Sequence, residues 1–332
     1  GRSPGSSPGA LPRPMGCGRL QHQLACDGRL VRANWHRSRH AAAGLALLAL
    51  ARCAWPPRGV ASPLGWLAMC LPRLPAVEPR SPHEAEHWRR VEAALELFWT
   101  GRGGYNIACA EELAVERAVD PSQLKLGATG PSTYGEVTPQ GARQIARAMG
   151  LGSPHEPAVF VDLGSGVGKL VAQVYLEWPA VTQATGIELS ETRSARAAAA
   201  WSSLTIDGDA DELRGELSAP SDKAGATPSA RRAAEAVRFV HGDMFSADLN
   251  EATHVYAASL CFSNALMDRL AGKLTSSAPR LRVVATLRKF PQGLKGFELV
   301  QTVRAEMSWT LVHGRGECVH LYSRCAAAME EG

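Results

Sequence analysis

The sequence predicts an α/β fold, a mostly parallel seven-stranded sheet with helices on both faces and an antiparallel strand pair closing one edge. Three observations predict it. Past Gly150, short β-branched runs alternate with stretches of helical periodicity, the sequence form of a parallel sheet covered by helices. A glycine-rich turn, Gly164-Ser165-Gly166-Val167-Gly168, joins the first of these runs to the first helical stretch. The last two runs have no helical pattern between them, so they are expected to be antiparallel neighbours.

Taken in order, the elements begin at Ser81-Pro82. Trp88, Val91, Ala94, Leu95 and Phe98 recur at three- and four-residue steps, with Ser81 as N-cap and Gly101 past the end, which predicts an amphipathic helix. A second helix is expected from Ala108 to Ala118. A third, capped by Thr138-Pro139, carries Ile145, Ala148 and Met149 before Gly150. Strands are expected at Val159 to Leu163, Ala184 to Leu189, Val237 to Val240, His254 to Ala258 and Leu281 to Leu287, and the closing pair near Phe297 to Thr302 and Cys318 to Ser323. Leu170, Val171, Val174 and Tyr175 mark the helix after the first strand. The polar residues between Ile206 and Ala236 read as a surface insertion. Three regions result: a disordered leader over 1–80, a helical region with a cofactor-covering loop over 81–150, and a cofactor-binding domain over 151–327.

The net charge of +4 conceals an asymmetry. Residues 1–81 hold 11 Arg against Asp27 and Glu78, so the rest of the chain is mildly acidic. That balance excludes a uniformly basic coat for nucleic acid, and no direct sequence-specific nucleic-acid partner is expected. The leader's Pro56-Pro57, Pro63, Pro72 and Pro75 break helices, and its Arg-rich, acid-poor character also fits an organelle transit segment. The longest apolar run, Ala41 to Ala51, is about half of the 20 or so residues a membrane span needs, so none is expected. Eight scattered cysteines show no zinc-ligand spacing, which predicts free thiols and no metal site.

The glycine-rich turn follows a strand and opens a helix, the context in which it carries meaning. A phosphate-gripping P-loop is excluded because Leu163 and Leu170 stand at two of its defining places, although Gly168-Lys169 is present. A dinucleotide fingerprint would need its third glycine one place later, and Asp162 would repel a pyrophosphate. S-adenosylmethionine carries a carboxylate, an ammonium and a sulfonium but no phosphate, so the same acid becomes useful. Asp162 can hold the amino group, and the amides of Gly164, Ser165, Gly166 and Gly168 can face the carboxylate. Glu188, 24 residues past Gly164, ends the second strand where an acid accepts from ribose hydroxyls. Asp243 ends the third, beside the adenine amino group, with Met244 to pack on the ring. Any one such acid alone reads as a solvated loop residue. Three at consecutive strand ends predict a class I, Rossmann-like methyltransferase.

Tyr134-Gly135-Glu136-Val137-Thr138-Pro139-Gln140-Gly141, together with Phe160 to Lys169, resembles the catalytic domain of the Dot-one (disruptor of telomeric silencing) histone methyltransferases. The likeness continues through Gly186-Ile187-Glu188, Gly242-Asp243-Met244 and Ser308-Trp309-Thr310, from about Tyr134 to Arg324. It implies a non-SET lysine methyltransferase acting on histone H3 in nucleosomes, a nuclear chromatin regulator. It also implies that Glu136 contacts the methionine end of the cofactor. After the fourth strand the family carries Asn beside the transferring methyl group, where this chain has Ala258, and Ser259 is the candidate to supply a hydroxyl instead. Tyr134, Phe262 and Trp309 are expected around an acceptor channel, though each alone also reads as core packing. The candidate catalytic residues are therefore Tyr134, Ser259 and Phe262. Tyr134 also counts among the cofactor contacts, as does Lys169, which is expected to point outward from the first helical turn. Methylation of a non-histone protein or small molecule, and a cofactor-binding module without turnover, remain the alternatives.

Overall fold

The computed structural model describes residues 76–119, 132–153, 156–206, 209–216, 230–311 and 314–325. The chain divides into two units, Gly1–Met69 and Cys70–Gly332, and every described residue belongs to the second. Apart from residues 76–80, the leader expected over 1–80 lies outside the described residues.

Capping chemistry sets the first helices. α1 (Pro82–Trp99) begins where the Ser81 hydroxyl accepts from the Glu84 amide at 3.1 Å, with proline at its first turn. Its Trp88, Val91, Leu95 and Trp99 form the buried stripe. α2 (Cys109–Ala118) buries only Val115. In α3 (Pro139–Ala148) the Thr138 hydroxyl accepts from the Gly141 amide at 3.1 Å, and Gly150 at φ +77° follows its end.

The sheet then runs β1 (Ala158–Leu163), β2 (Val181–Glu188), β3 (Val237–His241), β4 (His254–Ala257), β5 (Val283–Thr286), β6 (Phe297–Ala305) and β7 (Glu317–Arg324). Its spatial order is β3-β2-β1-β4-β5-β7-β6. The first five strands pair in parallel, and β7 pairs antiparallel with both β5 and β6. Between them lie α4 (Lys169–Glu177), α5 (Glu191–Ile206), α6 (Asp209–Glu216), α7 (Ala230–Ala236) and α8 (Asn264–Ser277). Strand order reverses beside β1, which opens a crevice at the carboxyl ends of β1 and β4, where ligands of such sheets bind.

Strand alternation divides the interior in two. Phe160, Tyr256, Ala285 and Leu321 face a core shared with α1, α3, α4 and α5. Val161, Leu163, Val255 and Val284 face a second core with Met267, Leu270 and Leu274 of α8. α4 is buried from Leu170 to Glu177, so it lies between the sheet and the amino-terminal helices.

Several expected bounds change, β2 starting at Val181 and β5 spanning only Val283–Thr286 among them, and three changes have a visible cause. Residues 206–236 hold α6 and α7 where a surface insertion was expected, and Ala210, Leu213 and Ala233 are buried in the first core, so their apolar positions outweigh the polar composition around them. β4 stops at Ala257, because Ala258 turns the chain into a 3-10 turn over Ser259–Cys261. β6 continues to Ala305, three residues beyond its expected end, on the support of β7.

One buried ion network fastens α1 and α3 to α4. Arg143 donates from Nε to the Glu177 carboxylate at 3.0 Å and from Nη1 to Glu92, while its guanidinium lies 4.4 Å from the Trp88 ring centroid. Gln173 adds a hydrogen bond to Glu177 at 3.1 Å. Burial pushes the Glu177 carboxyl up to about 7, even with the Arg143 charge pulling it down. Arg143→Ala therefore strands a buried carboxylate, and urea denaturation should show a loss of about 3 to 5 kcal/mol. A double Arg143→Ala, Glu177→Ala variant should recover part of it.

Candidate functional site

The glycine turn exists in this shape because Gly164, Gly166 and Gly168 take φ of +89°, +56° and +79°, the left-handed region that side chains disfavour. Space is also limiting. A Cβ on Gly166 would stand 2.6 Å from the Tyr134 ring, and one on Gly168 would stand 2.2 Å from Phe239.

Contrary to expectation, the turn's amides are used within the protein. Gly164 and Ser165 both donate to the Ile187 carbonyl, at 2.8 and 3.0 Å, and Gly168 donates to Ser165 O at 2.9 Å. Gly166 donates to the Glu188 carboxylate at 2.8 Å. The turn is thereby locked to the end of β2 rather than held open toward a ligand carboxylate.

Glu188 is the centre of this lock. Its second oxygen accepts from the Ser190 amide at 2.9 Å, and Arg193 Nη1 lies 3.9 Å away. Two amides hold the carboxylate in one orientation, with lone pairs left for hydroxyl donors. Arg193 is held in turn by the carbonyls of Gly104 and Ser132, at 3.0 and 2.8 Å, and its guanidinium covers the Tyr134 ring at 4.7 Å.

Asp162 differs. It is buried, its Oδ1 has no hydrogen-bond partner, and its carboxyl is pushed up to about 8 by burial and then by the Glu188 charge. A cation donor fits this oxygen: it would satisfy the unpaired atom and favour the charged form.

The two segments that mark the resemblance meet here. Ser308 Oγ accepts from the Glu136 amide at 3.0 Å, the Ser308 amide donates to Glu136 O at 2.8 Å, and Val137 bridges Met307. Gly135 lies under the Trp309 ring, where a Cβ would come within 2.5 Å. Thr310, buried, closes the turn by accepting from the Met307 amide at 3.0 Å. So placed, the Glu136 carboxylate accepts from the Tyr134 hydroxyl and from Lys169 Nζ, each at 2.8 Å. Burial first, and the Glu136 charge second, raise the Tyr134 phenol and keep it protonated. Lys169 thus turns back to Glu136 instead of outward.

These groups line a cavity of about 470 Å3 at the crevice. Tyr134, Glu136, Asp162, Gly164, Ser165, Gly166, Lys169, Glu188, Asp243, Met244 and Phe262 all reach it. Gly168 and Ser259 are not part of its lining. Gly168 opens α4 behind the turn, and Ser259 is fully buried with its Oγ accepting from the Arg288 amide at 3.1 Å. The Arg288 side chain reaches back to Phe262 O and, at 2.9 Å, to Asn264 Oδ1, so Ser259 ties the turns after β4 and β5 together. At the β3 end, Asp243 Oδ1 accepts from the Phe245 amide at 3.0 Å, and Arg269 stacks on Phe245 at 3.7 Å. Tyr256, Arg193, Arg269, Leu260 and Leu287 also line the cavity and were not among the sequence candidates. Only Tyr256 had a usable signal, a polar tip flanked by Val255 and Ala257.

Among the described residues no group of His, Cys, Asp or Glu could hold a metal, and no helix is long and apolar enough to cross a membrane. Cys109, Cys261, Cys318 and Cys325 form no disulfide.

Strand order 3-2-1-4-5-7-6, with acids closing β1 and β2 and another just past β3, defines a class I S-adenosylmethionine-dependent methyltransferase. The family model for histone methylation protein DOT1 matches residues 115–313, and the chain belongs to that family of S-adenosylmethionine-dependent lysine methyltransferases. No curated protein matches the chain. Solved structures similar to it include an RNA methyltransferase from Salinibacter ruber with S-adenosyl-L-homocysteine, at 20% identity and TM-score 0.36, covering 56% of this chain and 90% of that one. Magnesium protoporphyrin IX methyltransferase from Synechocystis PCC 6803 matches at 10% identity and TM-score 0.36, over 75% of this chain and 100% of the other. Mitomycin 7-O-methyltransferase matches at 16% identity and TM-score 0.37, over 84% and 81%.

Two outcomes follow. Glu188→Gln loses the charge and turns one of the two oxygens that accept from Gly166 and Ser190 into a donor, so S-adenosylmethionine affinity measured by calorimetry should fall by at least about 1.5 to 3 kcal/mol, roughly ten- to 150-fold. The second concerns Asp162, whose folded value of about 8 lies above its unfolded 3.8, so the empty protein loses stability as pH rises between the two. An ammonium ligand draws the carboxyl to its charged form, so binding at pH 7 should release close to one proton and strengthen up to about pH 8. Calorimetry in buffers of different ionisation enthalpy reads that proton directly. Release of none would remove Asp162 from the ammonium site.

Proposed function

We propose that this protein methylates a lysine of histone H3 presented on the nucleosome, and that it works in the nucleus. The observation that carries this reading is the apolar share of the cavity wall, to which Ala258, Leu260, Phe262, Leu287 and Trp309 contribute alongside the acids. Walls of this kind disfavour an ammonium and favour the neutral amine that methylation requires. Membership of the histone methylation family points to the same acceptor.

When bound, the cofactor supplies an electrophilic methyl group. On our reading Asp162 takes its ammonium and Glu188 its ribose hydroxyls, and Asp243 takes the adenine amino group with Met244 against the ring. Gly164, Ser165 and Gly166 leave the space for it, with Gly168 supporting them from behind. Tyr134, Glu136 and Lys169 form one hydrogen-bonded unit at the methionine end. Phe262 and Trp309 orient the acceptor and exclude water. Ser259 holds Phe262 in place through Arg288 and offers its hydroxyl to no reactant.

Ala258 offers no hydrogen bond beside the methyl group, so orientation of the amine falls to the walls. That gap favours a second reading, a cofactor-binding module without turnover. Labelled-methyl transfer compared on nucleosomes, free histones and whole-cell extract separates the two. Nucleosomal H3 should be the best acceptor, and Ala258→Asn should raise its rate several-fold, with Ala258→Leu as the control for space. Transfer only to other proteins or small molecules would change the acceptor. Cofactor binding with no transfer to any of the three would leave the module.

A further inference from the structure

The cavity holds a second unsatisfied polar atom that the roles above leave unused. Tyr256, on β4, is buried, and its hydroxyl has no hydrogen-bond partner. It lies in register with Asp162 on the neighbouring parallel strand, and both side chains line the cavity. Two adjacent strand residues on one face thus each leave a buried oxygen unpaired in the wall of the same cavity.

A buried hydroxyl without a partner is costly, and a phenylalanine would fill the same volume without that cost. The atom is recovered only when something in the cavity bonds to it. What that is follows from the chemistry of the two neighbours. The Asp162 carboxylate, once charged, only accepts hydrogen bonds, whereas a phenol can donate. Burial first, then the charges of Asp162 and Glu317, keeps the Tyr256 phenol protonated, so its proton is available. A ligand matching the pair carries an ammonium beside a carboxylate, which is the amino-acid end of S-adenosylmethionine. The glycine turn leaves room for such a contact, because the amides of Gly164, Ser165, Gly166 and Gly168 are already bonded within the protein.

We propose that Tyr256 is a cofactor-binding residue, its hydroxyl donating to the carboxylate of S-adenosylmethionine while Asp162 accepts from the adjacent ammonium. The proposal rests on the reading of Asp162 and Glu188 as the cofactor site. It makes the floor of the cavity, rather than the glycine turn, the part that distinguishes an intact amino-acid end from a truncated one.

The test pairs one substitution with one truncated ligand. Affinities of wild type and Tyr256→Phe are measured by calorimetry for S-adenosylmethionine and for its decarboxylated form, which keeps the ammonium, sulfonium and adenosine. Tyr256→Phe should weaken S-adenosylmethionine about ten- to hundredfold and change the decarboxylated ligand less than about twofold. Equal losses on both ligands, or no loss on either, would overturn the proposal. The empty Tyr256→Phe protein should melt at the same temperature as wild type or higher, since it sheds an unpaired group. A lower melting temperature, or failure to fold, would give the hydroxyl a partner within the protein and would equally overturn it. Glu188→Gln is the control for the underlying site. It should weaken both ligands alike through the shared ribose, and if it changes neither, the cofactor-site reading fails instead.

Discussion

The Glu188 carboxylate is the point on which the site depends. One oxygen takes the Gly166 amide and the other the Ser190 amide, so a single side chain joins the glycine turn, the end of β2 and the start of α5. Close by, Glu111 of α2 accepts from the Ser190 hydroxyl at 2.5 Å and the Thr192 amide at 2.9 Å, which brings the cavity's outer helix to the same corner. Its carboxyl faces a burial penalty, yet the hydrogen bonds from Ser190 and Thr192 bring it below the usual range. The hydrogen bonds that shape the cavity and those that tie the scaffold are here the same, so substitutions at this corner act on both.

Two carboxylates within one cavity are placed in opposite conditions. Glu188 is surrounded by donors, whereas Asp162 is buried without one for its Oδ1 and is held near neutrality. The difference follows from position: Glu188 points along the ends of the amides in the turn, and Asp162 points into the core face that Phe160 and Tyr256 share. In the proposed cofactor site a cationic ligand group would relieve two unfavourable terms at the second, the unpaired oxygen and the desolvated charge.

Much of this was legible in the sequence, and the reasons are specific. Caps such as Ser81 and Thr138 announce helix starts through local chemistry, and the period-two and 3.6-residue patterns announce the strands and helices they feed. The order of Asp162, Glu188 and Asp243 along the chain was enough to place them around one crevice. What sequence did not show is where shared atoms go. Nothing local indicates that the turn's amides are spent on Ile187 and Glu188, or that Lys169 turns back to Glu136. Ser259 stands beside Ala258 in the sequence, yet a 3-10 turn places its hydroxyl on the Arg288 amide, which nothing local indicates. Ala210, Leu213 and Ala233 were hidden in a polar stretch because three small or single apolar residues carry no visible period.

The bridge between Val137 and Met307, and the Ser308 bonds to Glu136, join residues about 170 positions apart. A wall of the cavity therefore comes from the beginning of the domain and its fastening from near the end. During synthesis the glycine turn, Asp162 and Glu188 can assemble with β1 and β2, and Lys169 and Arg193 can meet the Tyr134–Glu136 wall, but that wall lacks its Ser308 and Trp309 contacts until those residues have left the ribosome. A chain that stops before β6 carries every strand-end acid of the crevice and the Tyr134–Glu136 wall, but not the residues that fasten that wall.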